Sequence, residues 1–241
     1  MARKGTMYDR TIQSEYLQEE MTLKIYEPKQ INPIYGTNVC IMQDGNDYYQ
    51  MGRVATLSDK LHEEDDIVNC IFVGIHYIDR YDRLKKYHPD GEQYGAYQQF
   101  LLQEVVPLLR EIVPLNPLGI TFSLIGDSLA GTLALLTTLM NSNVFKKAII
   151  QSPLVDETVL QMVKESNPAA DVELYHSIGL KETNVKTTQD DEVDFVTPNK
   201  TLANELRDKL VHYHYEEITD GNHTWKYWQI ELPDVLVQMY G

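Results

Sequence analysis

Apolar positions along the chain fall into two kinds of run. Residues 21–28 alternate apolar and polar side chains at period two and stop at Pro28, which predicts an antiparallel outer strand. Runs at 38–43, 66–75, 119–125, 147–152 and 172–179 are nearly unbroken, as expected of strands covered on both faces. A further strand at 211–218 alternates clearly. Between them, residues 94–113 place Phe100, Leu101, Val105, Leu108 and Leu109 on one helical face, and further helices are predicted at 52–63, 129–140, 159–164, 201–210 and 224–239. A loop is expected after 44–47, another over the polar and aromatic stretch 76–91, and a long one over 180–199, whose length marks it as a functional segment. Strands regularly separated by helices imply an α/β fold: a mostly parallel, doubly wound sheet with helices on both faces, in one domain over residues 1–241. No stretch between strands is long and apolar enough for a separate lid.

Composition narrows the function. Hydrophobic content of 43% and charged content of 24% are those of a globular protein. The net charge of −15 argues against a nucleic-acid partner, which needs clustered Lys and Arg, and disfavours an anionic membrane surface. The basic N-terminal residues have no apolar run behind them, so no signal peptide is expected, and no stretch reaches the length of a membrane span. Cys40 and Cys70 lie inside apolar runs and read as reduced core thiols rather than a disulfide or metal ligands, which suits a cytoplasmic location.

The chemistry centres on residues 124–133, a buried strand that turns at Ser128 into an apolar helix. This is the pattern of a nucleophile elbow, met as G-x-S-x-A by Gly126, Ser128 and Ala130, with Gly131 one step later. The helix begins just after the serine, so the Leu129 N–H is the natural oxyanion donor. The same residues would also suit a plain turn in which Ser128 caps the helix. A serine nucleophile needs a histidine base held by an acid, both in loops past later strands. His223, in the turn between the last strand and the last helix, keeps the chain order Ser, acid, His. His212 and His214 fall within a strand, His62 and His176 read as structural, and His76 and His88 precede the serine but could line a pocket. Glu182, past the strand ending at Gly179, is the first candidate acid and Asp156 the reserve, while Asp190, Asp191, Glu192 and Asp194 read as a solvated charge run. GDSL at 126–129 with Asp220 three residues before His223 also matches the signature blocks of the GDSL hydrolases, although about half the chain precedes Ser128 here. In that reading Asp220 would orient His223.

Residues 39–47, Val73-Gly74-Ile75 followed by Arg80-Tyr81 and Pro89, the elbow, and Gly221-Asn222-His223 leading into Trp225 and Trp228 together resemble the putative esterase group of α/β-hydrolases, nearly end to end. The group contains esterase D-like, enterochelin esterase-like and mycolyltransferase-type proteins. The resemblance implies an α/β-hydrolase fold, Ser128 as nucleophile, His223 as base, an acid near Glu182, and a second oxyanion donor at the Asn46 backbone N–H. It implies a small-molecule ester substrate, with no cofactor and no metal, and aromatic and charged pocket loops suit a polar or medium-sized ester better than a long-chain lipid. Acyl transfer to an alcohol, hydrolysis of an S-acyl glutathione-type thioester, and a non-catalytic binding protein of the same fold stand as alternatives, and exposed edges or helices leave a homo-oligomer open. Trp225 and Trp228 read as anchors of the last helix.

Overall fold

In the computed structural model, which describes residues 3–113, 119–187 and 191–241, ten strands are found among the described residues, and helices separate most of them from β3 onward. β1 (Thr6–Gln13) and β2 (Glu20–Glu27) precede β3 (Thr37–Met42), α1 (Gly45–Gln50), α2 (Val54–Glu63), β4 (Cys70–Ile75) and α3 (Arg80–Tyr87). Next, α4 (Tyr94–Gln99) runs through a π-helical turn (Phe100–Val105) into α5 (Val106–Ile112), ahead of β5 (Ile120–Asp127), α6 (Ser128–Met140) and β6 (Phe145–Gln151). The rest is α7 (Glu157–Glu165), β7 (Glu173–Gly179), the two-residue strands β8 (Val185–Lys186) and β9 (Glu192–Val193), α8 (Val196–Lys209), β10 (His212–Ile218) and α9 (Trp225–Tyr240).

Eight strands form one sheet in the order β1-β2-β4-β3-β5-β6-β7-β10. β3 to β7 and β10 are parallel to their neighbours, and only the β1–β2 and β2–β4 pairings are antiparallel. This is the mostly parallel, doubly wound α/β-hydrolase sheet, and the unbroken apolar runs explain it. Along β3, Val39 and Ile41 join a core with Leu133 and Leu136 of α6, while Cys40 and Met42 join a second core with Leu232 and Leu236 of α9. Successive side chains point to opposite faces, so a strand buried on both must be apolar at every position. Each fully buried Leu, Ile or Val contributes roughly 1.5–3 kcal/mol. Among the described residues no helix is long and apolar enough to cross a membrane.

The structure departs from the sequence reading where local pattern is weak. β2 is antiparallel as expected but is not outermost, because β1 pairs along its whole length. β1 has no fully buried side chain and therefore shows no apolar alternation to read. Residues 45–50 form α1 in place of a loop: Asp44 adopts a left-handed backbone that starts the turn, and Gly45 lies so close to β4 that a Cβ there would sit 2.3 Å from the Gly74 Cα. Within 76–91, α3 is capped by Asp79, whose Oδ1 accepts the N–H groups of Tyr81 at 2.8 Å and Asp82 at 2.9 Å. The helix expected at 94–113 is interrupted by its π turn. The loop expected at 180–199 holds the β8–β9 pair and the start of α8, with residues 188–190, including the candidate Asp190, outside the described residues.

Candidate active site

β5 delivers Ser128 to the carboxyl edge of the sheet through a turn too tight for ordinary residues. Ser128 has φ of 52°, a left-handed conformation that is strained for a residue with a side chain. A Cβ on Gly126 would lie 2.3 Å from the Ala130 carbonyl carbon, so strand and helix can cross only because Gly126 is glycine. A Cβ on Gly131 would crowd the Gly126 carbonyl oxygen at 3.0 Å and touch Pro153 at 3.4 Å. The small residues of the elbow thus answer chiefly one another, at the crossing of β5 and α6.

The Ser128 Oγ lies 2.9 Å from His223 Nε2, and His223 Nδ1 lies 2.6 Å from Glu182 Oε2. Glu182 and His223 meet because two loops touch at their glycines: a Cβ on Gly221 would be 2.7 Å from the Gly179 Cα, and the Lys181 N–H donates to the Gly221 carbonyl at 2.9 Å. The imidazole is held between Phe195, 4.5 Å away centre to centre, and the edge-on ring of Trp228 at 5.0 Å. Only 1% of Glu182 is exposed, yet its second oxygen is satisfied, accepting the Ser152 hydroxyl at 2.7 Å and the Gly179 N–H at 2.9 Å. Such a chain can move a proton from the serine to the imidazole while the carboxylate fixes the ring's tautomer.

Half-buried Ser128 opens onto a cleft of about 500 Å³, walled by Tyr77, Arg80, Leu154, Val193 and Trp225 among others. Its floor is braced by a buried ion pair in which Arg83 donates to both carboxylate oxygens of Asp44, at 2.7–3.1 Å, and to the Asp127 carbonyl at 3.2 Å. Burial, reinforced by the charge of Asp44, pushes the Asp127 carboxyl well above the usual carboxylate range despite the opposing Arg83. Asp47, also on the wall, is raised first by burial and then by Asp44. Across the cleft, His88 Nε2 bonds Asp156 Oδ2 at 3.0 Å. Ligand atoms of His88, Asp90 and Asp156 converge to within 4.8 Å, although hydrogen bonds to one another and to α7 already occupy them.

Of the residues singled out by sequence, Ser128, His223 and Glu182 are brought together, and Leu129 lines the cleft at the start of α6. Asn46 sits in the first turn of α1 between two cleft-lining residues, Asp44 and Asp47, its side chain accepting from Lys24 Nζ at 3.4 Å. Asp156 is engaged by His88 and by the N-terminus of α7, and Asp220 is exposed and paired with Lys181 at 2.7 Å. His62 accepts from the Cys70 N–H, and His176, pushed down to about 4 by burial, is bonded to Tyr213 and Asn199. Trp228 both anchors α9 and packs on His223, and Trp225 lines the cleft. Sequence reasoning missed Ser152, Phe195 and the Asp44–Arg83 pair, whose roles come from contacts between distant segments. A Ser-Pro step closing a parallel strand was the one local sign of Ser152.

The sequence matches the family described as putative esterase over residues 14–239. The uncharacterized protein YjcH of Bacillus subtilis (strain 168) is 39% identical over 237 residues, 98% of either chain. Enterochelin esterase from Shigella flexneri superposes with a TM-score of 0.80 at 17% identity, covering 99% of this chain and 59% of its own, so this chain spans about three-fifths of that protein's length. The BES protein from Bacillus cereus superposes with a TM-score of 0.77 at 19% identity, covering 100% of this chain and 96% of its own. At these identities the two structures share the fold.

Proposed function

The chain belongs to the putative esterase family, and so to the carboxylic ester hydrolases, and from that premise we propose that it works as a serine esterase through an acyl-enzyme, as one α/β-hydrolase domain. The observation that carries the reading is the unbroken line of hydrogen bonds from Ser128 through His223 to Glu182, at 2.9 and 2.6 Å, with the serine raised on a left-handed turn at the cleft floor. Ser128 attacks the ester carbonyl as His223 takes its proton, and His223 then protonates the leaving alcohol. A water activated by the same imidazole releases the acid. Glu182 orients the ring and stabilises the imidazolium. The N–H groups of Leu129 and Asn46 hold the oxyanion, a contribution of about 3 kcal/mol to the barrier for a single donor. The cleft, with charged and aromatic walls and a volume of about 500 Å³, suits a small polar or medium-sized ester. The two buried free thiols, Cys40 and Cys70, suit a cytoplasmic enzyme.

Labelling by a fluorophosphonate serine probe, read by intact mass, tests the reading without a known substrate. Wild-type protein is expected to take up one equivalent, while Ser128→Ala and His223→Ala, folded by circular dichroism, take up none on the same timescale. Wild-type protein that is folded and stays unlabelled would overturn it.

A further inference from the structure

The hydroxyl of Ser152 occupies a position that the reaction as described does not use. β6 runs parallel to β5 with Asp127 opposite Gln151, so Ser152 leaves its strand at the level at which Ser128 leaves the neighbouring one. Like Ser128 it is left-handed, with φ of 45°, and it is 99% buried, 1% of its surface being exposed. Its N–H donates to the Ser177 carbonyl at 2.8 Å, and its Oγ touches two groups: Glu182 Oε1 at 2.7 Å and Trp228 Nε1 at 3.2 Å. An indole N–H can only donate, so the serine oxygen accepts from Trp228 and turns its single proton to the carboxylate.

We propose that Ser152 is a positioning residue for Glu182, its hydroxyl locking the carboxylate that faces His223 and being locked in turn by the indole of Trp228. The inference rests on the serine-esterase reading. A glutamate carboxyl turns about a broad, two-fold terminal torsion, so a single bond to His223 leaves its plane poorly defined. Ser152 and the Gly179 N–H pin Oε1, which leaves Oε2 aimed at Nδ1. Trp228 acts on both partners, because the ring that donates to Ser152 also stands edge-on to the His223 imidazole at 5.0 Å. A left-handed turn alone would be served without strain by glycine. The hydroxyl gives a reason for serine at a strained position.

Glycine at this position separates the two roles. Ser152→Gly removes the hydroxyl with its Cβ and relieves the backbone, whereas Ser152→Ala deletes the hydroxyl alone and keeps the strain. Turnover of p-nitrophenyl acetate is expected to fall about 10- to 100-fold in kcat for both variants, with KM within about two-fold of wild type. Without the Ser152 donor the Glu182 charge concentrates on the oxygen facing His223 and favours the imidazolium. The acid limb of the kcat/KM profile should therefore move to higher pH. Trp228→Phe, which keeps a ring beside His223 but removes the donor, should move the same limb in the same direction by less, and it carries the test if Ser152→Gly does not fold. A folded Ser152→Gly with wild-type kcat and an unmoved pH profile overturns the proposal while wild-type labelling by the fluorophosphonate leaves the esterase reading intact. Wild-type protein that does not label overturns both.

Discussion

A buried carboxylate must have its lone pairs used, and Glu182 meets this with three partners, His223, Ser152 and Gly179. An amide in its place offers the wrong group to at least one of them. Glu182→Gln is therefore expected to lower kcat about 10²- to 10⁴-fold, by analogy with loss of the acid in a Ser-His-Asp system. Asp220→Asn, on an exposed residue paired with Lys181, should change it less than about two-fold. Ester turnover by the two purified variants decides which acid serves His223; loss of activity in Asp220→Asn alone would reverse the assignment. The turns that carry Ser128 and His223 were legible in the sequence because each is a short local pattern: a strand-turn-helix for one, a glycine turn past a strand for the other. Ser152, Phe195 and Trp228 acquire their places from segments up to 76 residues apart, and no local pattern encodes such a meeting.

Elements of the fold carry the site by how closely they approach. The loops after β7 and β10 bring Glu182 to His223 only because Gly179 and Gly221 touch backbone to backbone, where a Cβ on Gly221 would stand 2.7 Å from one Cα and 2.9 Å from the Ile218 Cβ. Gly221→Ala must push the loops apart, and overpacking of this kind typically costs about 1–3 kcal/mol. Fluorophosphonate labelling of this variant should slow at least about ten-fold, by the sensitivity of such reactions to small misplacement, while urea unfolding reports the loss of stability. Unchanged labelling would mean that the loops have slack. Central strands could be read in advance because burial on both faces writes itself into every residue. β1, α1 and α3 could not: β1 is not fully buried anywhere, α1 is six residues long and mostly polar, and α3 is organised by the Asp79 cap and by Arg83 reaching across to Asp44.

At the scale of the whole molecule, a polar network runs through the second core. Tyr48 of α1 donates to Gln151 of β6 at 2.9 Å, and Gln151 and Ser177 both donate to Glu231 of α9. Burial pushes the Glu231 carboxyl up from 4.5 to about 7, against the lowering effect of those bonds and with the help of nearby Glu216. The folded protein therefore keeps a proton that the unfolded chain has already released. This contribution to stability is complete below about pH 4.5, is lost as pH rises to about 7, and is flat beyond, a span of at most about 3 kcal/mol. Urea unfolding at pH 5 and pH 8 should show Glu231→Gln to be less pH-dependent than wild type, and equal dependence in both would remove Glu231 as its source. The sheet that this network helps to clamp also sets how the protein can change over generations. Ser128 and Ser152 leave adjacent strands at matched register, and Glu182 follows the next strand along, whereas the cleft walls come from separate segments such as α1, α3 and the β8–β9 pair. The positions of these three residues are thus tied to a lattice that shifts only in whole-residue steps of roughly 3.3 Å, while the β8–β9 wall lies outside that lattice. On the serine-esterase reading, a change of ester falls to the β8–β9 wall and leaves the line from Ser128 through His223 to Glu182 in place.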